Sequence, residues 1–407
     1  MGPITVNPQR TKATHQQTKA YNGQLVLRTI FDCGAISRAE VARRTGLTRV
    51  TVSEIAGDLL ERGLVAEVGR GPSTGGKSPI LLSVVDDARH VIGVDLASYE
   101  FRGAVVNLRC QIRRALKFPL FGRTGDEAVA LVFELIDALR SATEQPILGI
   151  GIGTPGLVDT QQGVVRQAVN LEWRDLRLAA LLEDRYGLPV YVANDSQVAA
   201  LAEHTFGAGR ADHNLVVIKA GRGIGAGTIL NGHLFQGDHS AAGEIGHVVV
   251  VEDGQPCRCG KSGCLETVAS SEALLRQARL LAQTTEHTFF SSFAADPNEI
   301  TSDVIVQALN MDDAAAVALV SAAATALGRA IAFIVGILNV RRILLVGTLT
   351  HFGPPWFEAV RAAIQCHSMP ALATDIDVSL GQLDENVVTL GASALLLTNE
   401  LGLDLAR

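Results

Sequence analysis

Apolar residues near the start of the chain recur at helical spacing and then change to strand-like alternation. Residues 22–33 and 38–45 have the pattern of two helices, and Ser37 with Glu40 forms a capping box at the start of the second. A tight turn precedes a third helix, for which Thr48 is the expected N-cap. The apolar residues of that helix share one face: Val52, Ile55 and Leu59.

Two strand-length segments follow at 64–68 and 80–84, joined by a glycine-rich loop with basic residues at 69–79. Three helices followed by such a two-stranded wing are typical of a winged helix-turn-helix DNA-binding domain. The alternative is a small helical subdomain of an enzyme.

From residue 90 onward, strands and helices alternate in the manner of an α/β fold. Two segments, 91–108 and 215–230, share a pattern of two strands around a turn, which indicates a duplicated lobe. Further helices and strands are expected at 126–144, 147–152, 176–186, 189–193, 312–338, 342–346 and 389–400. This order predicts two α/β lobes with a ligand-binding cleft between them.

The composition excludes several classes of protein. A chain of 407 residues exceeds the usual single core, so two or three domains are expected. Apolar residues make up 47% and charged residues 19%, which excludes wholesale disorder and a fibrous repeat. The longest apolar stretches are strand-length or interrupted by charge, and the start of the chain is polar. We therefore expect no membrane span, no secretory signal and a cytoplasmic location.

Charge is unevenly distributed along the chain. Residues 1–85 carry eleven Lys and Arg against six Asp and Glu, whereas the rest carries 24 against 36. The basic N-terminal segment favours contact with a polyanion, and the acidic remainder of the chain indicates a different function for that part.

Three of the six cysteines lie close together, at Cys257, Cys259 and Cys264, shortly after His247. One imidazole and three thiolates are the soft ligands that tetrahedral zinc prefers, and two glycines among them let the backbone turn around a small site. Four protein ligands leave no position for water or substrate, so we expect one structural zinc per chain. The alternative is a group of buried thiols.

The same segment carries a resemblance to a known family. The run Cys257-Arg-Cys-Gly-Lys-Ser-Gly-Cys-Leu-Glu266, with Gly153-Thr-Pro-Gly156, Asn194-Asp195 and the N-terminal winged helix, resembles the ROK family of sugar kinases and sugar-responsive repressors. The chain looks most like its xylose and N-acetylglucosamine repressor branch. The resemblance covers nearly the whole length and implies an actin-like, ribonuclease H-like sugar-kinase fold of two lobes.

On this basis the chain is expected to have two domains. Residues 1–85 would form the winged helix-turn-helix domain and residues 86–407 the sugar-binding domain. The first lobe of that domain would comprise 88–195 with the C-terminal helix 389–407, and the second lobe 196–388 with the zinc site.

The resemblance also implies a set of sugar-contacting residues: Asn170, Asn194, Asp195, Glu244, His247 and Glu266. Such amides and carboxylates match the donors and acceptors of sugar hydroxyls. Asp195 corresponds to the residue that accepts the hydroxyl proton in the kinases, and His247 would serve metal and sugar with one ring nitrogen each. Two alternatives stay open: Asn194-Asp195 as a helix N-cap, and Trp173 as a core residue rather than a stacking surface.

The loops that hold ATP phosphates in the ROK kinases are altered here. The first hairpin reads Asp95-Leu-Ala-Ser-Tyr-Glu100 in place of Asp-x-Gly-Gly-Thr, and Glu100 would add negative charge beside a triphosphate. Arg222 stands where the kinases carry threonine in the second loop, and segment 346–350 lacks paired glycines. We expect that ATP binding is lost, with a weak kinase as the alternative.

The start of the third helix would present side chains to the major groove of DNA. There an arginine suits guanine and a valine suits a thymine methyl group, while basic residues in the wing suit phosphates or a narrow minor groove. The expected DNA-contacting residues are Thr48, Arg49, Val50, Ser53, Arg70 and Lys77.

These features together predict a sugar-responsive transcriptional repressor of a carbohydrate catabolic operon, with a sensor domain that is not an enzyme. Its partners would be operator DNA, a sugar and a second copy in a homodimer or dimer of dimers, because helix-turn-helix proteins read paired half-sites. The alternatives are an active ATP-dependent sugar kinase and a DNA-bound scaffold controlled by a protein partner. Xylose, glucose and N-acetylglucosamine stay open as the effector.

Overall fold

The structure, a computed structural model, describes residues 15–72, 78–97, 99–210 and 212–403. The chain divides into two units, Met1–Arg89 with Leu397–Asp404, and His90–Leu396. Residues 397–404 cluster with the N-terminal segment, whereas the sequence assigned the whole C-terminal helix to the sugar-binding domain.

Within its described residues, the first unit has three helices and a small antiparallel sheet: α1 (His15–Cys33), β1 (Ile36–Ser37), α2 (Arg38–Thr45), α3 (Arg49–Glu61), β2 (Val65–Arg70) and β3 (Ile80–Val84). The strand order is β1-β3-β2. Ser37 Oγ accepts a hydrogen bond from Glu40 N and Thr48 Oγ1 accepts one from Thr51 N, each at 3.2 Å, so both expected N-caps are present. The apolar face of α3 is buried through Val52, Ile55 and Leu59, which are at most 9% exposed.

The turn between α2 and α3 depends on Gly46. Its φ of 71° lies in the left-handed region that side-chain-bearing residues rarely adopt, and its N–H closes α2 by donating to Ala42 O. Glycine at this position therefore ends α2 and allows α3 to start at an angle to it.

The second unit contains thirteen strands and ten helices among the described residues. Its strands are β4 (His90–Leu96), β5 (Glu100–Asn107), β6 (Ile112–Pro119), β7 (Ile147–Thr154), β8 (Leu157–Asp159), β9 (Val164–Ala168), β10 (Trp173–Leu176), β11 (Val190–Asn194), β12 (Leu215–Ala220), β13 (Ile224–Leu230), β14 (His233–Phe235), β15 (Arg342–Val346) and β16 (Asp377–Leu380). Its helices are α4 (Gly125–Ser141), α5 (Leu178–Tyr186), α6 (Asp195–Phe206), α7 (Glu266–Ala269), α8 (Ser271–Thr284), α9 (Ser302–Asn310), α10 (Ala314–Leu338), α11 (Gly353–His367), α12 (Pro370–Ala373) and α13 (Val387–Leu401), which ends in the first unit.

Two five-stranded sheets of similar design organise the second unit, with strand orders β11-β7-β4-β5-β6 and β14-β13-β12-β15-β16. Each contains an antiparallel hairpin, β4–β5 or β12–β13, whose first strand also pairs in parallel with a later strand, β7 or β15. The two predicted hairpins are therefore present. The edge strands β6, β14 and β16 and the helices α8, α9 and α11 are among the elements that were not anticipated.

Each sheet has its own buried core, formed around residues such as Ile92 and Leu135 in one and Val216 and Leu327 in the other. Among the described helices, α10 alone is long and apolar enough to suit a membrane span by length and composition. Its Val320, Leu327 and Ile331 are at most 1% exposed within the core of the second sheet, which is the arrangement of a core helix.

Candidate functional site

A cavity of about 870 Å³ lies at the carboxyl ends of strands from both five-stranded sheets. Strands β4, β11, β12 and β15 each contribute a residue near their last position to its wall: Asp95, Asn194, Lys219 and Val346. Small-molecule ligands of α/β proteins usually bind at such strand ends. The cavity is therefore the candidate sugar site.

Asn194 and Asp195 stand at the junction of β11 and α6 and have different tasks. Asn194 Oδ1 accepts hydrogen bonds from Ser196 N (2.9 Å) and Gln197 N (3.2 Å), so the N-cap alternative is correct for this residue. Asp195 lines the cavity, and its Oδ2 accepts a hydrogen bond from Lys219 Nζ at 2.9 Å. Asn194 also lines the cavity, so its capping role does not remove it from the site.

Glu244, His247 and Glu266 lie together in the wall of the cavity. Glu266 Oε2 accepts a hydrogen bond from Ile224 N at 3.1 Å, which fixes it against the start of β13. Burial, reinforced by the negative charges of Asp195 and Glu266, raises the pKa of Glu244 to about 7. His247 Nε2 is 3.9 Å from Glu244 Oε2. These polar groups are close enough to one another to contact neighbouring hydroxyls of one sugar.

Asn170 also lines the cavity, from a short 3-10 helix at Val169–Leu171. Its Oδ1 accepts a hydrogen bond from the guanidinium of Arg258. Trp173 is only 4% exposed, and its indole N–H donates to Gly125 O at 2.9 Å. The core alternative is therefore correct for Trp173. The cavity wall includes all six expected sugar-contacting residues, of which five have acidic or amide side chains and the sixth is His247.

The four expected metal ligands also come together. His247, Cys257, Cys259 and Cys264 place one ligand atom each within 4.8 Å of the others. Cys257 Sγ is 3.5 Å from His247 Nδ1, and Cys259 Sγ is 3.6 Å from Cys264 Sγ. A tetrahedral zinc with Zn–S bonds of about 2.3 Å separates its sulfurs by about 3.8 Å. The donor set and its spacing therefore fit a structural zinc ion.

The backbone around the cluster requires glycine at Gly263. Its φ is 73°, and a Cβ there would lie 1.7 Å from Val251 O. In this arrangement His247 directs Nδ1 to the cysteines while Nε2 lies nearer Glu244. The two ring nitrogens thus face the metal cluster and the sugar pocket separately.

The two loops that the resemblance aligns with the phosphate loops of the kinases carry charged side chains that are paired with one another or with neighbouring groups. Glu100 Oε1 accepts a hydrogen bond from Arg102 Nε at 2.6 Å, and Arg102 Nη2 donates to Tyr99 Oη at 3.3 Å. Glu100 is therefore neutralised by Arg102, and the expectation that its charge would repel a triphosphate loses its basis. Tyr99 and Arg102 line the cavity themselves, while Ser98 lies outside the described residues. In the second loop, Arg222 Nε donates to Glu272 Oε2 at 3.2 Å.

The expected DNA-contacting residues that the structure describes are exposed. Arg49, Val50 and Ser53 lie on the first two turns of α3, and Val50 is 68% exposed although it is apolar. Arg70 is exposed at the end of β2. Thr48 caps α3, so its hydroxyl already has a structural partner. Lys77 lies outside the described residues.

Lys219 and Arg258 are two charged residues of the cavity wall that were not among the expected site residues. The sequence did contain a sign that Lys219 is functional, because it is the only charged residue in the otherwise apolar strand β12. It contained no such sign for Arg258, because the spacing of the cysteines does not indicate that the residue between them reaches Asn170.

Comparison with known proteins gives consistent matches. The profile of the ROK family matches residues 91–399. The xylose repressor of Caldicellulosiruptor bescii is 32% identical over 392 residues, which cover 95% of this chain and 98% of that protein. These matches agree with the resemblance carried by the cysteine motif.

Two solved structures match with different coverage. A ROK family transcriptional regulator, a homolog of the E. coli MLC protein, has a TM-score of 0.82 at 28% identity and covers 95% of this chain and 98% of its own. A ROK family glucokinase from Streptomyces griseus, in complex with glucose and AMPPNP, has a TM-score of 0.69 at 28% identity and covers 75% of this chain and 98% of its own. The regulator match therefore extends over a part of this chain that the glucokinase match leaves out.

Proposed function

This chain belongs to the ROK family, and on that premise we propose that it is a transcriptional repressor that binds operator DNA and responds to a sugar. One observation carries the proposal: the similarity to a xylose repressor and to a ROK regulator extends over 95% of the chain, whereas a glucokinase matches 75%. The part of the chain outside the glucokinase match can supply a DNA-binding domain, which a regulator needs and a kinase does not.

The DNA-binding role belongs to the first unit. Its three helices and the β2–β3 hairpin have the order of a winged helix-turn-helix, in which α3 enters the major groove and the hairpin is the wing. Arg49 and the exposed Val50 at the start of α3 would contact base edges, with Thr48 and Ser53 beside them. We assign phosphate contacts to the wing residues Arg70 and Lys77.

The sugar-binding role belongs to the cavity of the second unit. Amide and carboxylate side chains at strand ends supply paired donors and acceptors for hydroxyls: Asn170, Asn194, Asp195, Glu244, His247 and Glu266. A structural zinc held by His247 and the three cysteines would fix the segment that carries Glu244 and Glu266. When bound, the zinc supplies folding energy rather than catalysis.

The repressor would act as a homodimer in the cytoplasm, where it reads paired half-sites of an operator. Sugar binding to one arrangement of the sensor better than to another shifts the balance between them, and linkage then changes operator affinity by the same factor. A coupling of about 1 to 3 kcal/mol corresponds to roughly 5- to 150-fold. We expect the sugar to weaken operator binding, because induction by substrate suits a catabolic operon.

The test measures binding of the full-length protein to the DNA upstream of its own gene, against a scrambled fragment of equal length, at 0.15 M salt. D-xylose, D-glucose and N-acetylglucosamine are first compared by thermal shift, since a ligand at 100 times its Kd adds about 2.7 kcal/mol of apparent stability. Equal affinity for both fragments would refute the repressor. Stabilisation by none of the sugars, with specific DNA binding intact, would favour control by a protein partner.

A matched variant and an enzymatic assay separate the remaining possibilities. Asp195→Asn is expected to keep operator affinity and lose the response to sugar, because Asp195 lines the cavity in the second unit. A coupled ADP-release assay with magnesium, ATP and each sugar is expected to give no turnover. Turnover that disappears in Asp195→Asn would establish the kinase instead.

A further inference from the structure

The positive charge of Lys219 lies beside the carboxylate of Asp195, which directly follows strand β11 of the other sheet. Lys219 lies near the end of β12, in the second sheet, and its Nζ is 2.9 Å from Asp195 Oδ2 at the start of α6. The Lys219 and Asp195 side chains are 25% and 11% exposed. Burial by itself would lower the pKa of Lys219, but the carboxylates of Asp195 and Asp95 raise it above its ordinary value. The ammonium is therefore charged and bound to Asp195, and the charge of Asp95 favours it further.

Asp95 supplies the second carboxylate and is less well satisfied. It lies near the end of β4 in the first sheet, is 4% exposed and lines the cavity. Its Oδ1 is buried and has no hydrogen-bond partner among the described residues. Burial raises the pKa of Asp95 to about 7, although the nearby Lys219 opposes that rise. A buried acceptor without a partner, facing a cavity, indicates a place for a ligand donor.

Two carboxylates at the wall of one cleft are a ligand set that a divalent cation can use. Magnesium and manganese prefer oxygen ligands and bind through one or two carboxylates together with waters or phosphates of a substrate. A lysine ammonium is a compact point charge with three donors, and a metal ion placed beside it would meet strong like-charge repulsion. The two cations therefore exclude each other from the same pair of acids.

We propose that Lys219 is the built-in cation of this cleft, bound to Asp195 and taking the place that a divalent metal ion would otherwise take at the carboxylates of the cavity wall. The sugar is then recognised without a metal ion, and a metal-bound nucleotide has no cation site to join. Lys219 thereby acts as a positioning and specificity-determining residue. Its ammonium orients Asp195, and the unpartnered Asp95 Oδ1 accepts a hydrogen bond from an uncharged ligand hydroxyl.

This inference rests on the proposed sugar-sensing function for its purpose, but its test requires neither sugar nor DNA. Manganese ion is the probe, and its binding to the zinc-loaded full chain is followed by electron paramagnetic resonance of the free ion. The wild-type cleft is expected to bind manganese only weakly. Lys219→Met removes the charge at similar length and is expected to bind one manganese ion at least tenfold more tightly.

Matched variants show whether the gained site lies at these carboxylates. Lys219→Arg keeps the charge and is expected to behave as the wild type, as is Lys261→Met, which removes another lysine of the cavity wall. Adding Asp195→Asn to Lys219→Met is expected to abolish the gained site. Lys219→Thr is measured alongside, so that a folded variant is available if the methionine variant is unstable.

The proposal would be overturned if the wild type and the folded Lys219→Met or Lys219→Thr variants bound manganese with equal affinity. It would also be overturned by a gained site that persists when Asp195→Asn is added. If the manganese results are as expected but the full chain shows no preference for its upstream DNA, the repressor proposal fails while the role of Lys219 stands. The two proposals are thus tested separately.

Discussion

Arg258, which stands between two of the proposed zinc ligands, donates a hydrogen bond to Asn170 in the sugar cavity. The same guanidinium donates to Glu272 Oε1 at 2.9 Å, and the other oxygen of Glu272 accepts from Arg222 at 3.2 Å. A charged network therefore connects the cysteine segment, the loop that carries Arg222 and the Asn170 amide in the cavity wall.

Removal of this arginine is expected to weaken sugar binding. Arg258→Ala leaves the Asn170 amide without its orienting donor, and because the Arg258 side chain is 51% exposed we expect a loss of only about 1 kcal/mol, or roughly fivefold. Calorimetry with the effective sugar measures the change. Arg361→Ala, which removes a similarly exposed positive charge on α11 outside the cavity wall, is the control and is expected to keep wild-type affinity. Unchanged affinity in Arg258→Ala would show that the network is not coupled to the pocket.

The zinc site makes a prediction about metal content. The purified protein is expected to hold one zinc per chain, and Cys259→Ser is expected to lose it together with most of the sugar response, because the ligand segment also carries Glu244 and Glu266. Elemental analysis and thermal shift with sugar provide the two measurements. Cys366→Ser, at an exposed cysteine outside the cluster, is the control. A protein without stoichiometric zinc would contradict the assignment.

The start of α3 makes a prediction about base preference. Arg49→Ala is expected to cost about 1 to 3 kcal/mol of operator affinity and to relax selectivity at one base pair. Arg62→Ala, at the opposite end of the helix and paired with Asp58, is the control and is expected to bind operator nearly as the wild type. Fluorescence anisotropy with single-base operator variants measures both effects. Equal losses on operator and scrambled DNA would mean that Arg49 contacts phosphate rather than a base.

Lys77 makes a different prediction, because a phosphate contact carries no sequence information. Lys77→Ala is expected to weaken binding to specific and scrambled DNA by similar factors and to reduce the salt dependence of binding by about one phosphate contact. Titrations at several salt concentrations measure that slope. An unchanged slope would remove Lys77 from the interface.

The buried Asp95 makes a prediction about the pH dependence of stability. Burial, with Asp195 adding to it and Lys219 opposing it, raises the pKa of Asp95 from 3.8 to about 7. A carboxyl whose pKa is raised on folding adds stability below its unfolded pKa, and that stability is lost as pH rises from about 4 through 7. Asp95→Asn is therefore expected to raise the Tm at pH 8, by about 1 to 2 °C for each kcal/mol gained, with the difference shrinking toward pH 5.

Thermal unfolding between pH 5 and 8 checks this expectation. Asp184→Asn, at an exposed carboxylate on α5, is the control and is expected to leave the Tm close to that of the wild type at each pH. A difference for Asp95→Asn that stays constant across this range, or grows toward pH 5, would contradict the raised pKa.

Features that depend on short segments were predictable from the sequence. The caps at Ser37 and Thr48 and the approach of His247 to the three cysteines follow from residues within about twenty positions of one another. The family was recognised from the same cysteine motif, and the comparisons confirm it. The repressor function was predicted with it, because a basic helical segment precedes the kinase-like part of the chain.

Contacts between distant segments required the tertiary structure. Sequence spacing cannot place Lys219 against Asp195, because Lys219 lies on β12 of one sheet and Asp195 directly follows β11 of the other, and their separation is set by the packing of two cores. The neutralisation of Glu100 by Arg102, two residues further along β5, was missed for a local reason: the orientation of the two side chains decides it. Trp173 was ambiguous until Gly125 O was found to accept from its indole.

The sequence by itself therefore determined the chemistry available to this protein: four side chains that suit a zinc ion, carboxylates and amides that suit sugar hydroxyls, and a basic helical segment that suits DNA. Only the tertiary structure decided how those groups are paired. It brings Lys219 to the acids of the cleft and Arg258 to Asn170, because the free energy of each pair depends on distance and burial, which chain order does not specify.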